Sequence, residues 1–226
     1  GEAPATIDWL LTDSRSLNFP EETLFFALPA KRNTGANYIP ELIERGVRCF
    51  VVSEEEYESN EELKMKNEEL SVSNENSSFG SKASILHSSL NFLLVPSPLK
   101  ALQKLAELHR AQFSIPVVGI TGSNGKTVVK EWLHQLLGDD RRIVRSPRSY
   151  NSQIGVPLSV WQMGADDELA IFEAGISEPG EMRALEAIIK PTIGILTNIG
   201  GAHQENFYSL QEKCMEKLTF FKNCDV

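Results

Sequence analysis

The sequence lacks several features that would assign it to common protein classes. None of its 226 residues belongs to an apolar run long enough for a transmembrane helix, and no segment resembles a signal peptide. Its three cysteines have no metal-ligand spacing, which argues against a disulfide framework or a zinc site. Bases are scarce, with 22 against 31 acids, so a duplex-binding surface is not expected. These absences predict a cytoplasmic protein without nucleic-acid partners or membrane insertion.

The apolar content is sufficient for a hydrophobic core, because 41% of the residues are hydrophobic and 8% are aromatic. Short apolar runs alternate with helical patterns, which predicts strands joined by right-handed crossovers into mainly parallel sheets. We therefore expect an α/β fold with a small N-terminal module at 1–93 and a P-loop ATPase-like domain at 94–226. Ligands of such sheets bind beyond the carboxyl ends of the strands.

A polar segment interrupts the N-terminal module. Residues 54–69 contain eight acids and two lysines, and a serine- and asparagine-rich stretch follows them. We interpret about 53–88 as a solvated insertion that is partly helical and partly disordered. A regulatory or docking role for this insertion is the alternative.

A glycine-rich loop follows a buried apolar strand and precedes a helix. Its residues are Thr121, Gly122, Ser123, Asn124, Gly125, Lys126 and Thr127. Glycines allow backbone N–H groups to surround phosphate oxygens, and the helix N-terminus adds positive potential. Lys126 can reach the β- and γ-phosphates, and the Thr127 hydroxyl can bind Mg²⁺. The general P-loop pattern requires a glycine where this chain has Ile120, so a plain glycine turn with an exposed lysine is the alternative.

Other polar residues stand near the ends of predicted strands. Glu173 ends an apolar strand and is a candidate Mg²⁺ ligand, with a solvated strand-end glutamate as the alternative. Asn198 could bind a ligand or hold a turn, and Asn151 reads as a turn residue. His203 is a lone histidine, which is usually structural, and Mg²⁺ prefers oxygen ligands. From the residues alone, Lys217 is an ordinary surface lysine on the last helix.

Five parts of the sequence together resemble the Mur ligase family. They are residues 121–127, 150–157, 171–175 and 197–203, and an N-terminal part made of residues 13–15 and 24–28. The family's phosphate loop has the same form and also lacks the early glycine. The residues of these segments are most similar to those of the branch that joins D-alanyl-D-alanine to UDP-N-acetylmuramoyl-tripeptide. It also resembles a version fused to an alanine racemase domain, although no racemase sequence is present here.

The resemblance implies an ATP-dependent ligase of peptidoglycan precursor synthesis that works through an acyl phosphate, with ATP and Mg²⁺ as cofactors. It implies ATP binding by residues 121–127 and Asn198. The implied catalytic residues are Lys126, His203 and Lys217, the implied metal ligands are Thr127, Glu173, His203 and a carbamylated Lys217, and the implied substrate contacts are Ser14, Arg15 and Asn151. Family members often have an acidic residue two positions after the carbamylated lysine, where this chain has Thr219.

The resemblance also implies a third domain that brings the amine substrate. The sequence stops at Val226, so we expect a piece of a longer enzyme that is inactive alone. A folylpolyglutamate-type ligase is one alternative, but those enzymes lack the UDP-binding module that residues 13–15 resemble. A non-catalytic module that only binds the UDP-sugar peptide is the other, and the presence of Lys126, Thr127 and Glu173 argues against it.

Overall fold

The structure, a computed structural model, describes residues 6–30, 34–61, 63–66, 90–201 and 204–224. The chain divides into two compact units, Gly1–Ala101 and Leu102–Val226. The predicted boundary between residues 93 and 94 falls inside a strand, whereas the division between the units falls inside a helix. Within the described ranges, no helix has the length and apolar character needed to cross a membrane.

The first unit is built on a parallel four-stranded sheet in the order β1-β2-β3-β4. Its elements are β1 (Trp9–Leu11), β2 (Thr23–Phe26), α1 (Ile39–Glu44), β3 (Cys49–Ser53), α2 (Glu54–Ser59) and β4 (Asn91–Val95). Phe25 of β2 and Phe50 of β3 are fully buried and meet edge to face, with 6.4 Å between ring centroids. The small N-terminal α/β module that the sequence predicts is therefore confirmed as a fold.

The start of the predicted insertion belongs to this core. Ser53 caps α2 by accepting a hydrogen bond from the Glu56 backbone N–H at 3.2 Å, an arrangement typical of helix N-termini. Tyr57 packs on Phe92 with ring centroids 5.1 Å apart, and Leu63 is fully buried. Most of this stretch is nevertheless exposed, because α2 has no buried residue and Met65 is 56% exposed. Residues 67–89 of the predicted insertion lie outside the described residues.

The second unit has a parallel four-stranded sheet in the order β6-β7-β5-β8. Its elements are α3 (Pro98–Arg110, which begins in the first unit), β5 (Val117–Thr121), α4 (Lys126–Leu137), β6 (Ile143–Arg145), α5 (Gly155–Val160), β7 (Leu169–Ala174), α6 (Glu181–Ile189), β8 (Ile193–Leu196) and α7 (Leu210–Leu218). Every residue of β5 and β7 is buried, as is usual for central strands of a parallel sheet. The predicted mainly parallel α/β fold is confirmed.

Two cores sandwich this sheet. On one face, Val129 and Leu133 of α4 pack on apolar residues of β5 and β7. On the other face, α5 and α6 contribute to a larger cluster that includes the fully buried Phe220. Phe220 lies in a 3-10 turn, Thr219–Phe221, that continues from α7.

Candidate functional site

Side-chain alternation in β7 brings Glu173 to the start of α4. Leu169 and Ile171 pack in the core between the sheet and α4, and Glu173 is the next β7 residue on that face. Because β7 pairs with β5, Glu173 lies opposite Ile120, just before the glycine-rich loop. After two apolar residues on this face of β7, the third position carries an acidic side chain, and it lies where α4 begins.

The Glu173 carboxylate is fully buried and surrounded by polar partners. Its Oε2 accepts hydrogen bonds from Thr127 Oγ1 at 3.0 Å and from Asn151 Nδ2 at 3.4 Å. Its Oε1 lies 2.9 Å from Nζ of Lys130, which is also fully buried. The structure therefore brings together three residues that the sequence analysis selected separately, namely Thr127, Asn151 and Glu173.

Lys130 is a residue of this cluster that the sequence analysis missed. It lies one helical turn after Lys126, on the same face of α4 as the packed Leu133. Its ammonium also donates to the backbone oxygens of Ser146, at 2.8 Å, and Arg148. Two features of the sequence could have indicated that Lys130 is buried near the loop: it follows Lys126 by four residues, and it lies in the apolar stripe of α4.

The glycine-rich loop is closed by contacts to its own backbone. Gly122 has a φ of 146°, and an added Cβ would collide with the Thr197 hydroxyl, so the loop requires glycine there. Lys126 Nζ donates to the Gly122 oxygen at 2.9 Å, and Lys217 Nζ reaches the same oxygen at 3.4 Å. The Thr121 hydroxyl instead donates to the Ala174 oxygen at 2.8 Å, which ties β5 to β7.

The turn after β8 holds the loop from the other side. The backbone oxygen of Asn198 accepts from the Ser123 N–H at 2.9 Å, and its Oδ1 accepts from the Asn124 N–H at 3.0 Å. Ser123 Oγ accepts from the Gly200 N–H at 2.9 Å. Of the two roles left open for Asn198, these contacts are those of a residue that holds the turn. Gly125, with a φ of 81°, precedes the first helical residue.

The interpretation of Lys217 as a surface lysine is wrong, because this residue is only 2% exposed. Phe220, three residues later, packs so closely on β5 that a Cβ at Gly119 would lie 2.7 Å from its ring, and this packing turns the lysine inward. Burial, together with the nearby charges of Lys126 and Lys213, lowers the pKa of Lys217 to about 8. The buried Lys213 donates to the Gly200 oxygen at 2.7 Å.

The electrostatics of this region suit an anion. Burial lowers the pKa of Lys126, and the Glu173 carboxylate opposes that shift. Lys126 and Lys217 converge on one carbonyl of the loop, while Lys213 donates to the turn that holds it. Positive charge concentrated beside a helix N-terminus favours polyphosphate binding.

The oxygen atoms near this charge also suit a hard cation. Thr127 Oγ1 and the Glu173 carboxylate lie 3.0 Å apart, and oxygen is the ligand that Mg²⁺ prefers. In the described part of the chain there is no group of three or more His, Cys, Asp or Glu that could hold a metal ion. His203, one of the predicted metal ligands, lies outside the described residues.

The predicted substrate residues of the first unit have local partners. Ser14 is buried, and its backbone oxygen accepts from Arg45 Nη1 at 2.8 Å. Arg15 forms an ion pair with Asp13 at 2.6 Å, although its side chain is 86% exposed. The hydrogen bond between them lowers the pKa of Asp13 and raises that of Arg15. The guanidinium of Arg15 is thus paired with Asp13 and is still exposed to solvent.

The first unit also contains an open cavity of about 420 Å³. Its lining includes Thr34, Asn37 and Glu56, but neither Ser14 nor Arg15. The cavity therefore does not join the two predicted substrate residues.

Comparison with known proteins agrees with the fold. Residues 120–226 match the family model of the Mur ligase middle domain. The UDP-N-acetylmuramoyl-tripeptide–D-alanyl-D-alanine ligase of Borreliella burgdorferi is 35% identical over 206 residues, which are 91% of this chain and 40% of that protein. The MurF ligase of Thermotoga maritima in complex with ADP superposes with a TM-score of 0.71 at 26% identity, covering 98% of this chain and 44% of that one. MurF from Acinetobacter baumannii has the same fold, with a TM-score of 0.76 at 23% identity over 99% of this chain and 43% of that one.

The chain belongs to the Mur ligase family. Within that family its sequence and fold are of the MurF type. The chain spans about two fifths of the length of the relatives that it matches.

Proposed function

We propose that the chain is part of an ATP-dependent ligase that joins D-alanyl-D-alanine to UDP-N-acetylmuramoyl-tripeptide in peptidoglycan precursor synthesis. The observation that carries this proposal is the convergence of Lys126, Thr127 and Glu173 at the carboxyl edge of one parallel sheet. The named activity of the Borreliella relative supplies the substrate pair. Because the reaction consumes ATP, we expect it to take place in the cytoplasm.

The nucleotide's phosphates would bind at the N-terminus of α4. The first N–H groups of a helix have no acceptor within the helix and can donate to phosphate oxygens. Lys126 closes the loop on the Gly122 oxygen, and its ammonium needs to move only from that carbonyl to a phosphate. In this proposal Asn198 acts indirectly, because its contacts with Ser123 and Asn124 fix the shape of the loop.

Thr127 and Glu173 would hold Mg²⁺, since their oxygens are adjacent and lie at the start of the helix. Bound there, Mg²⁺ would supply positive charge against the triphosphate. The carboxylate is paired with Lys130 and accepts two hydrogen bonds, so its position is fixed before any ligand arrives. His203 remains a predicted ligand that the resemblance suggests.

Lys217 would contribute as a carbamate. An amine in its neutral form takes up CO₂, and burial favours that form for Lys217. The product would carry two oxygens near the Gly122 carbonyl, and oxygen is the ligand that Mg²⁺ prefers. Its proximity to Lys126 would offset the new negative charge.

The reaction would proceed in two steps. The substrate carboxylate attacks the γ-phosphorus of ATP, so that an acyl phosphate forms and ADP leaves. The amine of D-alanyl-D-alanine then attacks the acyl carbon, the C–N bond forms, and phosphate leaves. Because two anions meet in the first step, Lys126 would stabilise its transition state by charge. Asn151, which donates to the Glu173 carboxylate, is proposed to contact the peptide end of the substrate, and Ser14 and Arg15 are proposed for the UDP end.

The test is ADP release by the full-length protein with UDP-N-acetylmuramoyl-tripeptide and different acceptors. Turnover with D-alanyl-D-alanine and not with single amino acids is the expected result. Turnover with a single amino acid would assign the protein to another branch of the family. If no acceptor supports turnover while the UDP-substrate still binds, the non-catalytic module becomes the better interpretation.

A further inference from the structure

Lys130 is a buried cation that the proposed reaction does not use. Its side chain has no exposed surface, and its ammonium lies 2.9 Å from the Glu173 carboxylate, which is equally buried. A buried charge is costly unless it is paired and hydrogen-bonded. The chain therefore retains this pair at a cost, at the point where the candidate metal ligand is held.

The ammonium has further partners that link three parts of the fold. It donates to the backbone oxygens of Ser146, at 2.8 Å, and Arg148. Arg148 has a φ of 51°, a left-handed conformation that few non-glycine residues adopt. Three residues later, Asn151 donates to the other oxygen of Glu173 at 3.4 Å. Lys130 thus joins α4, the end of β7 and the segment that carries Asn151.

The two oxygens of Glu173 are divided between these partners. Oε1 lies against Lys130, whereas Oε2 lies against Thr127 and Asn151. A carboxylate can rotate and exchange its oxygens unless one of them is anchored. The cation on Oε1 leaves Oε2 beside the Thr127 hydroxyl, where the two proposed metal ligands must meet.

We propose that Lys130 is a positioning residue that anchors Glu173 through Oε1, so that Oε2 and the Thr127 hydroxyl form one metal site. This inference rests on the proposed function for the role of Glu173. A lysine ammonium has no lone pair to donate to a metal ion, so Lys130 acts only through the carboxylate. The same ammonium donates to two backbone oxygens of the 146–151 segment and thereby helps to position Asn151.

The first experiment measures Mn²⁺ binding by electron paramagnetic resonance in the full-length protein with ATP present. Lys130→Met keeps the length of the side chain and removes its charge. We expect Mn²⁺ to bind about 10-fold or more weakly, the loss typical when a partner of a metal ligand is removed. Glu131→Gln is the matched control, because Glu131 lies 3.2 Å from the same ammonium but is partly exposed. Its Mn²⁺ affinity should stay at the wild-type value.

A second measurement keeps the test valid if Lys130→Met unfolds. That variant leaves the Glu173 carboxylate buried without its cation, so urea should unfold it at a lower concentration than the wild type. Adding Glu173→Gln removes the unpaired charge, and the double variant should be more stable than Lys130→Met alone. A double variant no more stable than the single variant would overturn the proposal. Wild-type Mn²⁺ affinity in Lys130→Met would overturn it as well.

Failure of the proposed function would look different. If the wild type binds Mn²⁺ with ATP but forms no amide with D-alanyl-D-alanine, the proposed reaction is wrong and the role of Lys130 stands. If amide forms in the wild type and Lys130→Met leaves Mn²⁺ binding unchanged, the proposed function stands and the role of Lys130 is wrong.

Discussion

The two units of this chain hold their predicted site residues in different ways. In the second unit, Thr127 and Glu173 are joined directly and lie at the carboxyl edge of a sheet whose central strands are fully buried. In the first unit, the ion-pair partner of Arg15 among the described residues is its neighbour Asp13, and the arginine side chain is exposed. The candidate residues of the second unit are therefore already in contact with one another, whereas Arg15 contacts a residue of its own turn. The following predictions test that contrast.

The largest expected effect is at Glu173. Replacing Glu173 with Gln keeps the shape of the side chain and removes the charge that faces Thr127 and Lys130. We expect ADP release to fall by about 10²–10³-fold, the loss typical when a charge that stabilises a transition state is removed. Glu178→Gln, at an exposed position five residues later, is the control and should retain wild-type turnover. Equal turnover in both variants would mean that the site is not preformed around Glu173.

A smaller effect is expected at Thr127. Thr127→Val keeps the branched shape and removes the hydroxyl that donates to Glu173 at 3.0 Å. We expect the Mg²⁺ concentration for half-maximal ADP release to rise about 10-fold, as for loss of one oxygen ligand or its partner. A change in the KM for ATP without any change in Mg²⁺ dependence would instead assign Thr127 to nucleotide contact alone.

Lys217 should respond to pH. With a pKa of about 8, raising the pH through 8 converts its ammonium to the neutral amine that reacts with CO₂. At pH 8 its neutral fraction should exceed that of an ordinary lysine by about 100-fold. We expect ¹³C-labelled bicarbonate to give one carbamate signal that strengthens between pH 7 and pH 8.5.

That signal should be absent from Lys217→Met and present in Lys104→Met, because Lys104 is largely exposed. A signal of equal strength in Lys217→Met would assign the carbamate to another amine.

The smallest effect on stability is expected at Arg15. Because its guanidinium is exposed, its pair with Asp13 contributes little, and Arg15→Ala should leave the urea midpoint unchanged. The KM for the UDP-substrate should still rise several-fold, as for the loss of one charge-assisted hydrogen bond to a diphosphate. An unchanged KM would remove Arg15 from the substrate site and leave the first unit without that contact.

The fold and most of the site were accessible from the sequence because their signals are local. The strand, loop and helix around Gly125 follow from apolar runs and glycines, and α4 begins at the predicted Lys126. Glu173 was found because it ends an apolar strand. Strand order, by contrast, depends on crossovers, so the pairing that sets Glu173 opposite Ile120 became visible only in the fold.

Two of the buried lysines, Lys130 and Lys217, were harder to interpret because burial depends on packing between distant elements. Lys130 shares the α4 stripe with Leu133, and Lys217 shares a helical face with Lys213 and Phe220, so both spacings point inward. Lysine is rarely buried, so a lysine on a helix is normally predicted to be exposed, and the same reasoning made Lys217 a surface residue. A lysine in line with core residues and near a predicted phosphate loop is the signal to look for.

The loop before α4 is proposed to hold a nucleotide's phosphates. The most direct test is calorimetric titration of ATP with Mg²⁺ into the full-length protein and its Lys126→Ala variant, with Lys104→Ala as the exposed-lysine control. We expect one saturable site in the wild type and in the control, and loss of most of the affinity in Lys126→Ala. Equal ATP affinity in all three proteins would mean that the loop does not bind the phosphates.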